Sequence, residues 1–182
     1  RLAEPRNGTL MLTLACLLLF GREPDRWHPR CGVDFVKYQG TERGVGSGFN
    51  VVRRERIEAP LPRLIEQTYA AIAPHVRQHQ RLVDLFFEER LEYPTFAWQE
   101  AVVNAVAHRD YGIAGVGIEI EMFDDRLSVR SPGALVAPVT LERLRQRQQV
   151  HASRNPHLAR VLTDWGYMRE LGEGIPRMHA EM

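Results

Sequence analysis

The sequence predicts an α+β fold in which helices cover one face of a sheet. Apolar residues recur at helical spacing over residues 61–78, and a second helix is predicted over residues 95–111. Residues 116–122 then alternate between apolar and polar side chains, which is typical of a half-buried strand. A pair of aspartates turns the chain into residues 127–131, which are expected to return antiparallel as the second arm of a hairpin.

The first sixty residues predict one short helix and two strands. The helix covers residues 13–20, with a threonine as its cap and a glycine as its stop, and residues 22–30 hold two prolines and form a loop. Alternation over residues 33–38 predicts a strand. A glycine-rich turn over residues 40–48 leads to a charged edge strand over residues 50–57.

The pattern changes near residue 60, which sets a soft domain boundary there. The helix over residues 61–78 is expected to bend near Pro74, because proline lacks the backbone N–H that a helix interior needs. Residues 82–93 contain an apolar run that predicts a further strand.

Three helices are predicted after the hairpin. The first is polar and covers residues 140–149. Asn155 and Pro156 then provide a cap and a proline at the first helical position, and this helix is expected to end at Gly166. The last helix is expected to begin at Ile175, after a short glycine-rich turn.

Composition places the chain among globular proteins that work in a reducing compartment. Its 182 residues are 44% hydrophobic and 26% charged, and the net charge of +1 does not imply a wholesale polyanion-binding surface, although local arginine clusters could still bind a polyanion. Cys16 and Cys31 are too few for a disulfide framework, so a cytoplasmic location is expected. The apolar run over residues 10–20 is too short to span a bilayer, so no membrane association is expected. Because the chain starts with arginine, it is expected to be part of a longer protein.

The most informative pattern is a polar stripe on the helix predicted over residues 95–111. Glu100, Asn104 and His108 stand four residues apart and are flanked by alanines and valines. One interpretation is catalytic: the carboxylate orients or deprotonates water, and the amide oxygen binds Mg²⁺. The other is the wet face of an amphipathic helix. The small flanking residues favour close packing and hence partners for these polar groups.

Two neighbouring groups each leave two interpretations open. His108 or Arg109 could meet a phosphate, or Arg109 could pair with Asp110 or other neighbours at the helix end. The segment from Ser131 to Gly133 could bring backbone close to a ligand, or it could be an ordinary turn at the end of a strand.

Two further groups near the C-terminus could also meet phosphate. Gly172 and Gly174 precede a helix, where backbone N–H groups can cradle an anion, although a plain helix-opening turn has the same pattern. Arg154 stands just before another helix and could bind phosphate or lie unengaged on the surface.

From residue 93 to residue 178 the chain resembles the ATP-binding domain of a bacterial family of RecG-like, "ATP-dependent DNA helicase-related" transcriptional regulators. This domain is a variant of the GHKL (Bergerat-like) α/β sandwich. The segment from Thr13 to Gly21 with Pro24 and Pro29, followed by a strand, resembles the end of the AlbA/Schlafen-like DNA-binding domain that precedes it in these proteins. Residues 1–60 would then be the C-terminal part of that domain, and residues 61–182 would form the GHKL-like domain. The resemblance rests on four blocks: Gln99 to Tyr111; Phe123 to Leu127 with Ser131-Pro132-Gly133; Ser153 to Pro156 with Leu158-Ala159; and Gly166-Tyr167 with Gly172 to Met178.

The resemblance implies a role for each matching residue. Glu100 would activate water, Asn104 would bind Mg²⁺, and Gly172 and Gly174 would close over the phosphates of ATP. Residues 134–171 would form a mobile lid. Ser131 stands where the family usually has an aspartate that binds the adenine amino group, which puts adenine selectivity in doubt.

The function expected from these patterns is an ATP- and Mg²⁺-binding part of a DNA-binding transcriptional regulator, as a homodimer, with slow ATP hydrolysis left open. The alternative is a degenerate, non-catalytic module for dimerisation or partner binding. A true hydrolase is the third interpretation. Helicase activity is not expected, because the sequence holds no Gly-x-x-x-x-Gly-Lys-Ser/Thr loop.

Overall fold

The computed structural model describes residues 2–150, 152–169 and 172–182. This part of the chain has a mixed α+β architecture, as the sequence predicts. Its strands are β1 (Ala3–Arg6), β2 (Thr9–Leu12), β3 (Val33–Tyr38), β4 (Val51–Ile57), β5 (Gln78–Val83), β6 (Phe86–Leu91), β7 (Ile118–Met122) and β8 (Leu127–Arg130). Its helices are α1 (Leu14–Phe20), α2 (Pro24–Trp27), α3 (Leu61–Ile72), α4 (Thr95–Ala107), α5 (Leu141–Arg145), α6 (Pro156–Asp164) and α7 (Gly174–Glu181).

The main sheet has four strands in the order β4-β3-β7-β8. Strand β3 pairs antiparallel with β4 and parallel with β7, and β7 pairs antiparallel with β8. The predicted strands over residues 33–38 and 50–57 and the predicted hairpin are therefore confirmed. Strand β4 lies at an edge of the sheet, as its charged sequence predicts.

Helices cover one face of this sheet because alternate strand residues are apolar. Val33 and Phe35 of β3 and Ile118 and Ile120 of β7 are fully buried. They join one core with apolar residues of α1, α3, α4 and α6. Helix α4 runs through this core, so the polar stripe on it is held in a fixed position relative to the sheet.

The soft boundary predicted near residue 60 does not divide this sheet. Strands β3 and β4 precede residue 60, and β7 and β8 follow it, yet Val33 of β3 pairs directly with Ile118 of β7. Strands β3 and β4 thus belong structurally with the residues that follow. The assignment of residues 1–60 to a DNA-binding domain stays a prediction.

Several elements end earlier than the periodicity predicts. Helix α3 stops at Ile72 and continues as a 3-10 turn over Ala73–His75, since Pro74 cannot donate the next helical hydrogen bond. Helix α4 ends at Ala107 instead of residue 111, and the chain turns away so that the N–H of Asp110 donates to the carbonyl of Pro132.

Two further segments differ from the predictions. The loop predicted over residues 22–30 contains the short helix α2, which has Pro24 at its first position. The strand predicted within residues 82–93 is a hairpin of β5 and β6, turned at Asp84, whose φ of 53° lies in the left-handed region. No helix among the described residues is long and apolar enough to cross a membrane.

The β5–β6 hairpin contributes little to the core. Leu82, Leu85, Phe86 and Phe87 are each more than half exposed. We therefore expect that replacing residues 80–89 with an Asn-Gly turn changes the free energy of unfolding by less than about 0.5 kcal/mol. Urea unfolding of the two proteins measures this difference.

A matched comparison for the hairpin deletion comes from a fully buried position of α3. Leu64 is 0% exposed, so Leu64→Ala is expected to cost about 2–5 kcal/mol in the same assay. If shortening the β5–β6 hairpin lowers the free energy of unfolding by more than about 2 kcal/mol, the hairpin does contribute to the core.

Candidate functional site

A cavity of about 370 Å³ lies between α4, the turn that follows β8 and the segment that leads into α7. This volume is within the usual range for small-molecule sites. One part of the lining is apolar and comes from Val129, Val136, Val139, Leu144, Val150 and Met168. The other part is polar and comes mainly from the stripe on α4 and from the glycine pair before α7.

The three members of the predicted stripe all line this cavity and are half-buried. Asn104 Nδ2 donates a hydrogen bond of 3.0 Å to Glu100 Oε1. Because the amide nitrogen is used in this way, the amide oxygen is the atom of Asn104 left to accept or to bind a cation. The stripe therefore faces a cavity and not bulk solvent.

The two glycines predicted as a phosphate turn also lie in the wall of the cavity. A Cβ at Gly174 would overlap Glu100 Oε1 and lie 3.0 Å from Glu100 Cδ, so only glycine leaves the carboxylate in place. Gly172 has φ +67°, and a Cβ there would come within 3.2 Å of the Val150 backbone. The structure thus brings Gly174 against the stripe and Gly172 against the backbone of Val150.

Side chains from other elements satisfy the carbonyls at the C-terminal end of α4. The last carbonyls of a helix have no partner within it and need one elsewhere. His108 N–H still reaches the carbonyl of Asn104. The other three carbonyls accept from side chains: Ala105 O from Ser131 Oγ at 2.7 Å, Val106 O from Tyr111 OH at 3.0 Å, and Ala107 O from Asn155 Nδ2 at 3.0 Å.

Arg109, a predicted phosphate contact, does not line the cavity. Its side chain is fully buried, and Nη2 donates to the carbonyls of Arg30, Ile113 and Val116 at 2.7–3.2 Å. Burial lowers the pKa of this guanidinium, because removal from water penalises its charged form. Its Nη1 donates to a fourth carbonyl, that of the neighbouring residue Asp110. Arg109 is thus a core residue that binds four backbone carbonyls.

Arg154 also lies away from the polar stripe. Its Nη1 pairs with Asp110 Oδ2 at 2.9 Å, and its Nη2 donates to the carbonyl of Ala134. Gly133 has φ +123°, and a Cβ there would approach Asp110 Cβ to 2.8 Å. Arg154 and Gly133 therefore hold the turn after β8 against the end of α4, and this turn lines the cavity.

A further basic residue, which the sequence patterns did not predict as a site residue, lies at the cavity. Arg169 lines it, is exposed, and forms no hydrogen bond or ion pair with any described residue. Its guanidinium is thus available to an anionic ligand. The signal that could have found it is its position three residues before the predicted phosphate turn.

The C-terminal part of the chain, residues 115–182, is similar to a known family. Residues 115–182 match an ATPase-type family model described as "Putative ATP-dependent DNA helicase recG C-terminal". The match includes Ser131, Gly172 and Gly174, but it begins after α4 and so leaves out Glu100 and Asn104. This similarity supports the RecG-like C-terminal family and suggests a nucleotide-binding module.

The fold as a whole is similar to a solved structure. The crystal structure of the DIP2311 protein from Corynebacterium diphtheriae matches with a TM-score of 0.74 and 25% sequence identity over 94% of this chain. The match covers 32% of that protein, so the chain spans about a third of its length. No curated protein matches the sequence.

Proposed function

We propose that the cavity beside α4 binds ATP together with Mg²⁺, and that this chain is the nucleotide-binding part of a DNA-binding transcriptional regulator. The observation that carries the proposal is the contact between Glu100 and Gly174. It places a carboxylate directly against the glycine turn at the start of α7, in the wall of one cavity. Helix N-termini with glycine turns suit phosphate groups.

The residues present fit a magnesium ion bound jointly by protein and phosphates. Among the described residues there is no cluster of three His, Cys, Asp or Glu side chains that could hold a metal. Mg²⁺ commonly needs only one or two protein oxygens when phosphates supply others. The oxygen of Asn104 would hold the ion, which when bound neutralises charge on the phosphates.

Two charged residues of the cavity, Glu100 and Arg169, have distinct roles under this proposal. The Glu100 carboxylate, fixed by the Asn104 amide, would orient and deprotonate a water molecule. Arg169 would contact phosphate from the exposed side of the cavity. The apolar lining would exclude water from the base. Helix α6 joins the core, so closure of the part of the predicted lid that precedes it, over residues 134–150, would be the switch that a regulator needs.

A second candidate function is a non-catalytic module that dimerises or binds a protein partner. Two observations favour it. Ser131 places no carboxylate in the cavity, and the exposed apolar residues of the β5–β6 hairpin, such as Leu85 and Phe86, suit a protein contact. Under either proposal DNA binding would belong to the domain whose end residues 1–60 resemble, with the protein acting as a cytoplasmic homodimer.

Titration with ATP separates the two functions. We expect ATP to bind at micromolar to millimolar concentration by calorimetry, and more tightly with Mg²⁺ than with EDTA. Asn104→Ala should lower the Mg²⁺-dependent gain at least about tenfold, because the ion loses its amide oxygen. Absence of binding at millimolar ATP, in the full-length protein that contains this chain, would overturn the proposal.

The same titration, combined with an assay of ATP hydrolysis, tests whether Glu100 is a base. Glu100→Gln keeps the shape of the side chain, so ATP should still bind, while any hydrolysis should fall about 10²–10⁴-fold. Undiminished turnover in this variant would contradict the proposed base. An exposed arginine provides the control: Arg160→Ala should change neither binding nor turnover.

A further inference from the structure

Residues 134–150, the lid segment, form part of the cavity wall without joining the core. Apolar side chains of this segment, such as Val136 and Val139, line the cavity. None of its residues is buried, however, so no packed side chain holds it in place. Segments with few buried contacts are the ones that open most easily in a folded protein. The position of the lid segment therefore depends on how its two ends are attached.

The chain that leads into the lid segment is fastened to the end of α4. Ser131 Oγ donates to the carbonyl of Ala105 at 2.7 Å. The N–H of Asp110 donates to the carbonyl of Pro132, also at 2.7 Å. The chain thus leaves the body of the protein beside the C-terminal end of α4.

The chain that follows the lid segment returns to the same place. Asn155 Nδ2 donates to the carbonyls of Ala107 and Arg109, at 3.0 and 2.8 Å. Helix α6 begins directly after Asn155 and enters the core with three buried side chains. Both flanks of the lid segment are therefore anchored at the end of α4, while the segment between them is not.

Arg154 connects the two flanks directly. Its Nη1 pairs with Asp110 Oδ2 at 2.9 Å, and its Nη2 donates to the carbonyl of Ala134, 20 residues earlier in the chain. The side chains of Arg154 and Asp110 are 23% and 32% exposed, so the pair is partly shielded from water. Shielding strengthens a charged hydrogen bond. One guanidinium thus holds the first residue of the lid segment and the end of α4 together.

We propose that the Arg154–Asp110 pair is the hinge of the lid, with Arg154 as a positioning residue that keeps the two ends of the lid segment together. With its ends clamped, the lid segment closes as one flap and brings its apolar side chains over a bound nucleotide. Without the clamp the ends separate, and closure has to order more of the chain, which costs conformational entropy. This inference rests on the proposed nucleotide function and names the device that regulates access to that site.

Trypsin provides a direct test, because Arg143, Arg145 and Arg147 are exposed cleavage sites within the lid segment. In the full-length protein we expect millimolar ATP with Mg²⁺ to slow cleavage at these sites at least about fivefold, since the closed segment opens less often. In Arg154→Gln this protection should fall below about twofold. Its affinity for ATP, measured by calorimetry, should fall about tenfold, because a charged hydrogen bond is lost.

Three matched variants show whether the pair itself is responsible. Asp110→Asn removes the charge but keeps the oxygen that accepts from the N–H of Gly112, and it should reproduce the effect of Arg154→Gln. Combining the two should lose little more than either alone, because both remove the same pair. Arg154→Lys keeps the charge but not the planar fork, so its protection should be intermediate. Arg160→Gln alters an exposed arginine of α6 and should keep full protection and affinity.

The outcomes separate the hinge from the nucleotide function. Arg81 and Arg90 of the β5–β6 hairpin are exposed and outside the cavity wall that the described residues form, so their cleavage is a reference. If Arg154→Gln speeds cleavage there as much as in the lid segment and leaves protection by ATP unchanged, the pair supports the fold and is not a hinge.

Two results in the unaltered protein are equally decisive. ATP that binds without protecting the lid segment would overturn the hinge and leave nucleotide binding intact. Absence of ATP binding at millimolar concentration would overturn the nucleotide function, together with the hinge that rests on it. Should Arg154→Gln not fold, the protection by ATP in Arg154→Lys and Asp110→Asn still decides.

Discussion

Replacing Arg109 with leucine is expected to lower the free energy of unfolding by about 3–5 kcal/mol. The guanidinium is fully buried and donates to the carbonyls of Arg30, Asp110, Ile113 and Val116. Asp110 O keeps a second donor, the N–H of Ile113, whereas the other three carbonyls are partly buried and each loses its bond to Arg109 at a cost of up to about 1–3 kcal/mol. Relief of the desolvated charge offsets part of this loss, which is why the net effect is smaller than the sum.

Urea unfolding with matched variants isolates the effect of burial at Arg109. Arg160→Ala removes an exposed arginine and should change the free energy of unfolding by less than about 0.5 kcal/mol. Arg109→Lys keeps a charge but loses the planar fork, so it should remain clearly destabilised. A stably folded Arg109→Leu protein that had lost only nucleotide binding would contradict the core position and favour a phosphate contact.

Replacing Gly174 with alanine is expected to weaken ATP binding at least about tenfold, while leaving the fold intact. The new Cβ would overlap Glu100 Oε1, so the carboxylate must move away from its position beside Asn104. Glu100 is half-buried at the cavity and can rotate, which limits the cost to stability to about 1 kcal/mol. The loss should therefore appear in binding and turnover and not in the unfolding curve.

Two further variants test the cause of this loss. Gly115→Ala adds the same methyl group where no heavy atom lies within 4 Å, so it should leave binding unchanged. Combining Gly174→Ala with Glu100→Ala removes the overlapping atoms and should restore part of the ATP affinity, without hydrolysis. If the double variant binds no better than Gly174→Ala alone, the loss arises from the backbone of the turn and not from Glu100.

The sequence predicted the site best where the signal was local. The spacing of Glu100, Asn104 and His108 predicted one polar stripe, and all three line the cavity. Their shared face follows from the 3.6-residue period of the helix, whatever the helix packs against. The glycine pair and the helix after it were predicted for the same reason, since cap and turn residues act on their immediate neighbours.

Prediction was poorer for residues whose position depends on distant partners. The sequence left Arg109 and Arg154 open between a phosphate contact and a structural or surface position. In the structure the first is held by carbonyls up to 79 residues away and the second by an aspartate 44 residues away. Arg169 was not predicted as a site residue from the sequence, although it lines the cavity. A basic side chain has the same local sequence signal in each setting, so only its partners distinguish a core residue from a ligand contact.

The sequence by itself determined the types of most elements, the polar stripe of α4 and the glycine turn, because each depends on residues close together in the chain. The tertiary structure alone decided that β3 pairs with β7 across the boundary predicted near residue 60. It alone directed the proton of Ser131 to the end of α4. Both depend on contacts between residues more than twenty positions apart, for which neither periodicity nor local composition carries information.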